Sequence, residues 1–395
     1  MANIKIGLMN RFGKQIIAII SLTLLGCLYL QHVSDCQQQQ RKQKQSNVLN
    51  ASQSSSLSSS PSPNRCSARS NIVFIKAHKC ASSAIQNIFM RYGYFNNKIF
   101  VLPDKGNYLG HPSLFDRNLV PNPKLFKSEY NILTHHSRLN YNEMRRLMPN
   151  DTVYLTIVRD PVHLFESMFH YYRLNKLWGM NFSDFNHRDV RLPKKIIETR
   201  LIGKIGVNQM MFDMGLSQND FNDIEKIKKY IAKLDSIFSL VLVAERMEES
   251  LILLKHLLCW NYDDVVVFKV NARDEKTKHP VNKIGDKRIR ELNRADQMLY
   301  EYFSQKFDEK VQKFGRKRMA KEIEKLRDRI GIFYEFCVNK AFASEQSNNI
   351  IRFVTQRENN LLCQFLTHSE LSLTKFIRTQ QIKRFPLSVF QNSTN

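Results

Sequence analysis

The sequence predicts an α/β fold: a P-loop-like parallel sheet flanked by helices, preceded by an N-terminal transmembrane helix. Three observations predict it. Two separate stretches, 71–89 and 151–169, each read as a buried strand, a tight turn and an amphipathic helix, and a parallel, helix-covered sheet accommodates two such units in one domain. The third is a single uncharged apolar run at 15–34.

Lys5, Arg11 and Lys14 precede that run, and no Lys or Arg follows until Arg41. At a rise of 1.5 Å per residue, roughly 20 residues cross a hydrocarbon core of roughly 30 Å. The charge bias keeps residues 1–14 cytoplasmic and sends the remainder across the membrane, as in a type II signal anchor. A cleaved signal peptide shares the basic start, but the run is longer than a usual signal-peptide core and lacks a small-x-small exit.

Residues 35–69 follow as a lumenal stem. Their Q-Q-Q-Q-R-K-Q-K-Q and Ser-rich segments offer too little apolar surface to order themselves. A folded domain is expected at 70–315 and a charged helical extension at 316–395. Sequons at Asn50, Asn150, Asn181 and Asn392 fit a lumenal domain. Of seven cysteines, Cys66, Cys80, Cys259, Cys337 and Cys363 lie beyond the stem's start and are expected to form one or two disulfides, which sequence does not pair. Cys36, at the lumenal edge of the span, could join two chains into a homodimer or stay a free or palmitoylated thiol.

Within the domain, N-I-V-F-I-K (71–76) is the first strand, and Ile85, Ile88 and Phe89 recur at helical spacing after it. Tyr130 to Leu133 is a short strand ending at T-H-H, and Asn140 with Glu143 suggests a capped helix running to Met148. D-T-V-Y-L-T-I-V (151–158) is the next strand. Pro161 suits the first turn of the helix after it, where its missing N–H costs nothing. Leu240 to Ala244 is a fourth strand, and Glu245 to Leu258 a helix with Leu251, Leu254 and Leu258 on one side. A charged helix starts at Arg316, and the polar tail after it carries no assignable chemistry.

Sixty Lys plus Arg against thirty-six Asp plus Glu give a net charge of +24, which points to nucleic acid, an acidic membrane surface or an anionic substrate. Nucleic acid conflicts with the anchor and sequons, and no aromatic-basic single-strand motif is present. An anionic ligand fits the two turns. A strand-to-helix turn presents unpaired N–H groups and the positive end of a helix dipole. In K-A-H-K-C-A-S-S-A (76–84), Lys76 and Lys79 add charge and Ser82 and Ser83 add hydroxyls.

No Gly lies between Lys76 and Gly93, so the Walker A pattern is absent and an ordinary P-loop kinase or GTPase is disfavoured. At the second turn, Arg159 ends the strand and Ser167 sits two helical turns on, a pair able to hold a phosphate monoester. A plain turn with solvated lysines and a serine cap is the alternative for the first segment.

Five stretches, F-I-K-A-H-K-C-A-S-S-A, N-I-L-T-H-H-S-R-L, Y-L-T-I-V-R-D-P-V-H-L-F-E-S-M-F-H-Y-Y, N-Q-M-M-F-D-M-G-L and L-V-A-E-R-M-E-E-S-L-I-L-L-K-H-L-L-C-W, occur in order over most of residues 71–275. In them the chain resembles the galactose 3-O-sulfotransferases, Golgi enzymes that use 3′-phosphoadenosine 5′-phosphosulfate (PAPS) and include the cerebroside sulfotransferase. The resemblance implies a Golgi membrane protein whose 70–315 domain transfers a sulfuryl group from PAPS to a galactose-terminated glycolipid or glycan; nothing in the sequence suggests a metal cluster, and the reaction does not require one. It implies that Lys79, Cys80, Ala81, Ser82, Ser83 and Ala84 hold the phosphosulfate, that Arg159 and Ser167 hold the 3′-phosphate, and that His78 is the base, with Lys76 and Lys79 stabilising developing charge. Cys80 and Ala84 stand where the family commonly has threonine, and each removes one hydroxyl from the loop.

His135 and His136 are candidates for the acceptor side, or one buried and one exposed structural histidine. Glu245 and Arg246 could orient a ligand or form a structural ion pair. Asn208 and Gln209 are weaker candidates near adenine or acceptor, and Trp178 suits the core better than a stacking role. A uronyl or heparan-type 2-O-sulfotransferase and a non-catalytic lumenal glycan-binding protein remain alternatives at this level.

Overall fold

The computed structural model describes residues 66–121, 130–268, 280–344 and 350–384, all within one compact unit. The expected tail, transmembrane span and most of the stem lie outside the described residues. Among the described residues no helix is long and apolar enough to cross a membrane.

Five strands, β1 (Ile72–Ile75), β2 (Ile99–Val101), β3 (Tyr130–Leu133), β4 (Val153–Val158) and β5 (Leu240–Val243), form one sheet in the order β2-β3-β1-β4-β5, with every neighbour parallel. Both sheet faces are covered, so β1, β4 and β5 are continuous buried apolar runs rather than alternating ones. Four strands match the expectation within two residues. β2 is an addition: three residues are too short for a periodic signal, and its place is fixed by pairing with β3.

α1 (Ser82–Phe95) follows β1 and buries Ile85, Ile88, Phe89 and Tyr92. Gly93 lets it lie close to the sheet, because a Cβ there would stand 2.4 Å from Phe100 and 2.5 Å from Ile132. α2 (Tyr141–Leu147) forms without the expected capping box. The Asn140 side chain makes no capping hydrogen bond, and Glu143 accepts one from Arg146 at 2.7 Å. α3 (Pro161–Tyr171) has Pro161 in its first turn, and the Asp160 carboxylate caps it by accepting from Val162 and His163 N–H at 3.0 and 3.2 Å.

α4 (Gln209–Asp213) and α5 (Ile224–Ile237) precede β5. A 3₁₀ turn at Ala244–Arg246 then leads into α6 (Met247–Leu258), so the expected helix starts two residues late with Leu251, Leu254 and Leu258 buried as expected. α7 (Lys283–Leu292), α8 (Arg294–Phe314) and α9 (Arg316–Cys337) complete the helical layers.

Residues 66–69, assigned from sequence to the stem, are fastened to the domain. Cys66 is disulfide-bonded to Cys259, Arg69 N–H donates to Leu258 O at 2.9 Å, and Trp260 Nε1 donates to Arg69 O at 3.0 Å.

The polar tail also folds onto the domain. An antiparallel hairpin, β6 (Val338–Ser344) and β7 (Ile350–Thr355), leads to α10 (Leu361–Thr367) and α11 (Glu370–Arg384), and Cys337–Cys363 ties α9 to α10. Phe365 and Phe376 pack on Tyr94 of α1. The Gln381 amide accepts from Phe100 N–H at 2.8 Å and donates to Phe100 O at 3.0 Å, covering the edge strand β2.

Candidate active site

Chain order sets where the site lies. From β1 the chain moves out to β2 and back to β3, then crosses to β4 and β5, so the connections diverge between β1 and β4. Ligands of open parallel sheets bind at the carboxyl ends of strands at such a switch point. The turns after β1 and β4 meet there. Arg159 donates from its guanidinium to Lys79 O at 2.7 Å, and the Lys79 ammonium lies 3.6 Å from the ring centre of Tyr171 on α3.

The first turn is compact. Lys79 and Ala81 both take left-handed backbone conformations, with φ of 56° and 57°, which folds the chain sharply into α1. Ser82 Oγ donates to Ala77 O at 2.6 Å, bracing the turn from inside, and no side chain caps the start of α1. A 14-residue helix thus directs its positive end into the turn. Cys80 and Ala84 are buried and Ala81 exposed, so Cys80 acts as a core side chain; burial first, against the nearby Arg159, pushes its thiol well above the usual range and keeps it protonated. Ser167 is half-buried on α3.

His78 stands at the centre. Its Nδ1 lies 2.9 Å from Asp213 Oδ2, and its own backbone N–H donates to the same oxygen at 2.8 Å. A carboxylate at neutral pH only accepts, so Nδ1 carries the imidazole proton and Nε2 presents a lone pair. Nε2 faces the Tyr108 hydroxyl at 3.3 Å, and His136 stacks on the ring at 4.1 Å between centroids.

Asp213 also accepts from His111 Nε2 at 3.1 Å and from Gln209 Nε2 at 2.9 Å. Burial works to raise its pKa, but the two imidazoles outweigh it and hold the carboxyl well below the usual carboxylate range. Burial keeps His111 below its ordinary value despite the Asp213 hydrogen bond.

Asp213 is itself held firmly. It ends α4, whose first N–H groups, Met210 and Met211, donate to Asp296 of α8 at 3.0 and 2.8 Å. Burial pushes the Asp296 carboxyl up to about 7 against those two bonds. Arg138 fastens the far side by donating to Phe212 O and Leu216 O at 2.7 and 2.8 Å.

His136 accepts from Lys76 Nζ at 3.0 Å, which places its proton on Nδ1, 3.2 Å from Lys76 O. Burial and then Lys76 keep it neutral, well below the ordinary histidine value. His135 is buried away from this stack against Thr374 of α11 at 3.0 Å, and burial brings it down to about 3. Both histidines are thus buried, with different neighbours, so the alternative of one buried and one exposed structural histidine does not hold, and His136 rather than His135 adjoins His78.

Gln209 joins the site, whereas Asn208 bonds to Asn293 and Asp296 on α8 and the segment before it. Glu245 accepts from Asp160 N–H at 3.0 Å and lies 4.0 Å from Arg159 Nε, Arg246 pairs with Glu249 and Asp308, and Trp178 is fully buried against Phe165.

Four contributors were not singled out from sequence: Asp213, Tyr108, His111 and Glu370. Asp213 lies in N-Q-M-M-F-D-M-G-L, where one acid in an apolar run was the available signal. Glu370 comes from the tail to which no chemistry was assigned. Its carboxylate accepts from Lys76 Nζ at 2.6 Å, Ser83 Oγ at 2.6 Å and Asn107 Nδ2 at 2.7 Å.

The galactose-3-O-sulfotransferase family model matches residues 1–359. The chain belongs to that family. It is 35% identical to human galactosylceramide sulfotransferase over 272 residues, which is 67% of this chain and 63% of that protein. Mouse galactose-3-O-sulfotransferase 2 is 34% identical over 66% of this chain and 67% of its own. The pig galactose-3-O-sulfotransferase 2 is 30% identical over 342 residues, 80% of this chain and 85% of its own. The chain thus spans less than two thirds of the galactosylceramide sulfotransferase. All the histidines and loop residues of the site lie inside the family match, and Glu370 lies beyond it.

His78, His111 and Asp213 are also the group among the described residues whose ligand atoms, within 4.8 Å of one another, are close enough to hold a metal. In this structure those side-chain atoms meet each other directly, in the hydrogen bonds of 2.9 Å (His78 Nδ1 to Asp213) and 3.1 Å (His111 Nε2 to Asp213) described above.

Proposed function

We propose that this chain is a PAPS-dependent carbohydrate sulfotransferase that transfers a sulfuryl group to the 3-hydroxyl of a galactose residue in a glycolipid or glycoprotein glycan. The observation that carries the reading is the Asp213–His78 pair beside the β1 turn. An imidazole whose Nδ1–H is committed to a buried carboxylate has Nε2 available as a proton acceptor, and the carboxylate stabilises the imidazolium that forms. The Tyr108 hydroxyl, 3.3 Å from Nε2, marks a position from which a sugar hydroxyl would donate.

In this reading the acceptor oxygen attacks sulfur while its proton passes to His78 Nε2. The bond from sulfur to the bridging phosphate oxygen breaks, and the electron pair leaves on 3′-phosphoadenosine 5′-phosphate. Lys79, Ser83 and the start of α1 stabilise the charge gathering on that phosphate, and Arg159 with Ser167 takes the 3′-phosphate. Burial and then Lys76 keep His136 neutral, and it stacks on the base.

The reading places the chain in the Golgi membrane as a single-pass type II protein with a lumenal domain. The apolar run at 15–34 supports this, as do two disulfides suited to an oxidising compartment and exposed sequon asparagines at 150 and 181.

The test is incubation of the full chain with radiolabelled PAPS and a panel of galactosylceramide, N-acetyllactosamine and uronic acid-containing glycans, with and without chelator. Label on a galactose 3-hydroxyl in both conditions is the expected result. Transfer to uronyl positions alone would reassign the acceptor. Binding of nucleotide with no transfer to any glycan would remove the enzymatic reading.

A further inference from the structure

The Glu370 carboxylate has an unusual place for a side chain of a polar tail. It bonds to Lys76 Nζ, Ser83 Oγ and Asn107 Nδ2 within 2.6 to 2.7 Å. Lys76 is buried, and Ser83 is one of the two hydroxyls at the start of α1. An ammonium, a hydroxyl and a side-chain amide converging on two oxygens is the donor set of an oxyanion site, and a carboxylate is its occupant here.

Glu370 is delivered by α11, whose attachments run along one edge of the domain. Arg378 donates to Pro103 O at 2.9 Å, Gln381 pairs with both backbone groups of Phe100, and Thr374 meets His135. The helix begins at Glu370, so the carboxylate sits at the end of an element pinned farther along its length. Release of this end breaks three side-chain hydrogen bonds and loosens only the first turn of the helix, while the part pinned through Thr374, Arg378 and Gln381 stays in place.

We propose that Glu370 is a built-in competitor for the sulfuryl donor, and that PAPS binds by displacing its carboxylate from Lys76, Ser83 and Asn107. This rests on the donor reading given above. The phosphosulfate is anionic and needs the Ser83 hydroxyl and the same positive region, and two anions in one partly desolvated site repel strongly. While the donor is absent, Glu370 satisfies the buried Lys76 ammonium, which would otherwise be left uncompensated. When the donor enters, its charge takes over that role and the carboxylate moves outward. Glu370 is thereby a determinant of donor affinity contributed by a segment outside the family match.

The experiment measures equilibrium PAPS binding, without acceptor, to the wild-type full chain and to Glu370→Gln and Glu370→Ala. Hydrogen exchange across 370–384 with and without PAPS is followed in parallel. Loss of the competing charge is expected to tighten PAPS binding roughly ten-fold in Glu370→Gln, and PAPS is expected to speed exchange at the start of α11 in the wild type. Cooperative thermal unfolding of each variant establishes that it is folded, and if Glu370→Ala fails that criterion, Glu370→Gln and the wild-type exchange data decide. Unchanged or weaker PAPS binding in folded Glu370→Gln, or slower exchange at 370–374 on PAPS addition, overturns the competitor role and leaves the donor reading standing. Failure of wild type and variants alike to bind PAPS overturns the donor reading, and the proposal with it.

Discussion

Asp213 accepts two hydrogen bonds from one residue, His78: the backbone N–H at 2.8 Å and the ring Nδ1 at 2.9 Å, both on Oδ2. The two residues are 135 positions apart in sequence. The double contact fixes the position of the histidine's backbone as well as its tautomer, so Nε2 is presented in one orientation.

For that reason Asp213→Asn is expected to act on turnover. An amide can donate to Nδ1, which moves the imidazole proton to Nε2 and blocks the base. Turnover should fall on the order of a hundred-fold or more, the usual contribution of general base catalysis, with PAPS affinity within a few fold of wild type. His78→Ala should abolish turnover with equally little effect on donor binding. Steady-state kinetics combined with PAPS binding checks both, and near-normal turnover in His78→Ala would remove it as the base.

Asp213 also gives a pH dependence of stability. Its carboxyl is held below the ordinary range by His78 and His111 against the opposing effect of burial, so the folded chain binds its proton less readily than the unfolded chain. The stabilisation is present above the unfolded carboxylate pKa of about 4 and is lost as the pH falls through the depressed folded value. Thermal unfolding of wild type and Asp213→Asn should therefore differ most near neutrality and converge in acid. A gap that widened in acid would contradict the assignment.

Arg159 joins the two turns through its bond to Lys79 O. Arg159→Ala is expected to weaken PAPS binding roughly ten-fold or more, since a hydrogen bond to a charged partner contributes about 1.5–3 kcal/mol, while kcat at saturating donor changes less. Titration of donor KM against kcat separates the effects, and a fall in kcat alone would argue against a role in donor binding.

Gly93 permits the close approach of α1 to β2 and β3. Gly93→Ala puts a methyl carbon 2.4 Å from the Phe100 ring and 2.5 Å from Ile132, both buried, so those side chains must shift. A loss of about 1–3 kcal/mol is expected from such overpacking, to be read by chemical denaturation. A neutral result would mean that β2 shifts freely with Gln381.

Much of the fold was legible because the information is local. Continuous β-branched and aromatic runs located β1, β3, β4 and β5, and Pro161 after Asp160 marked the start of α3. The β1 turn was legible on the same basis: Lys76, His78, Lys79, Ser82 and Ser83 are neighbours in the chain, so the strand and helix on either side already place them together. Arg159 followed from the second such turn.

The sequence by itself determined two anion-attracting turns, the helical and strand periods that flank them, and a histidine within the first turn. Tertiary structure decided the strand order that brings the turns together, the lone-pair orientation of His78, and the presence of an acid on the β1 turn. The last two outcomes depend on Asp213 and Glu370, and Glu370 lies 294 residues from Lys76. Periodicity and turn chemistry act over a few residues. The pairing of a buried charge is settled only when distant segments pack and each must find a partner out of water.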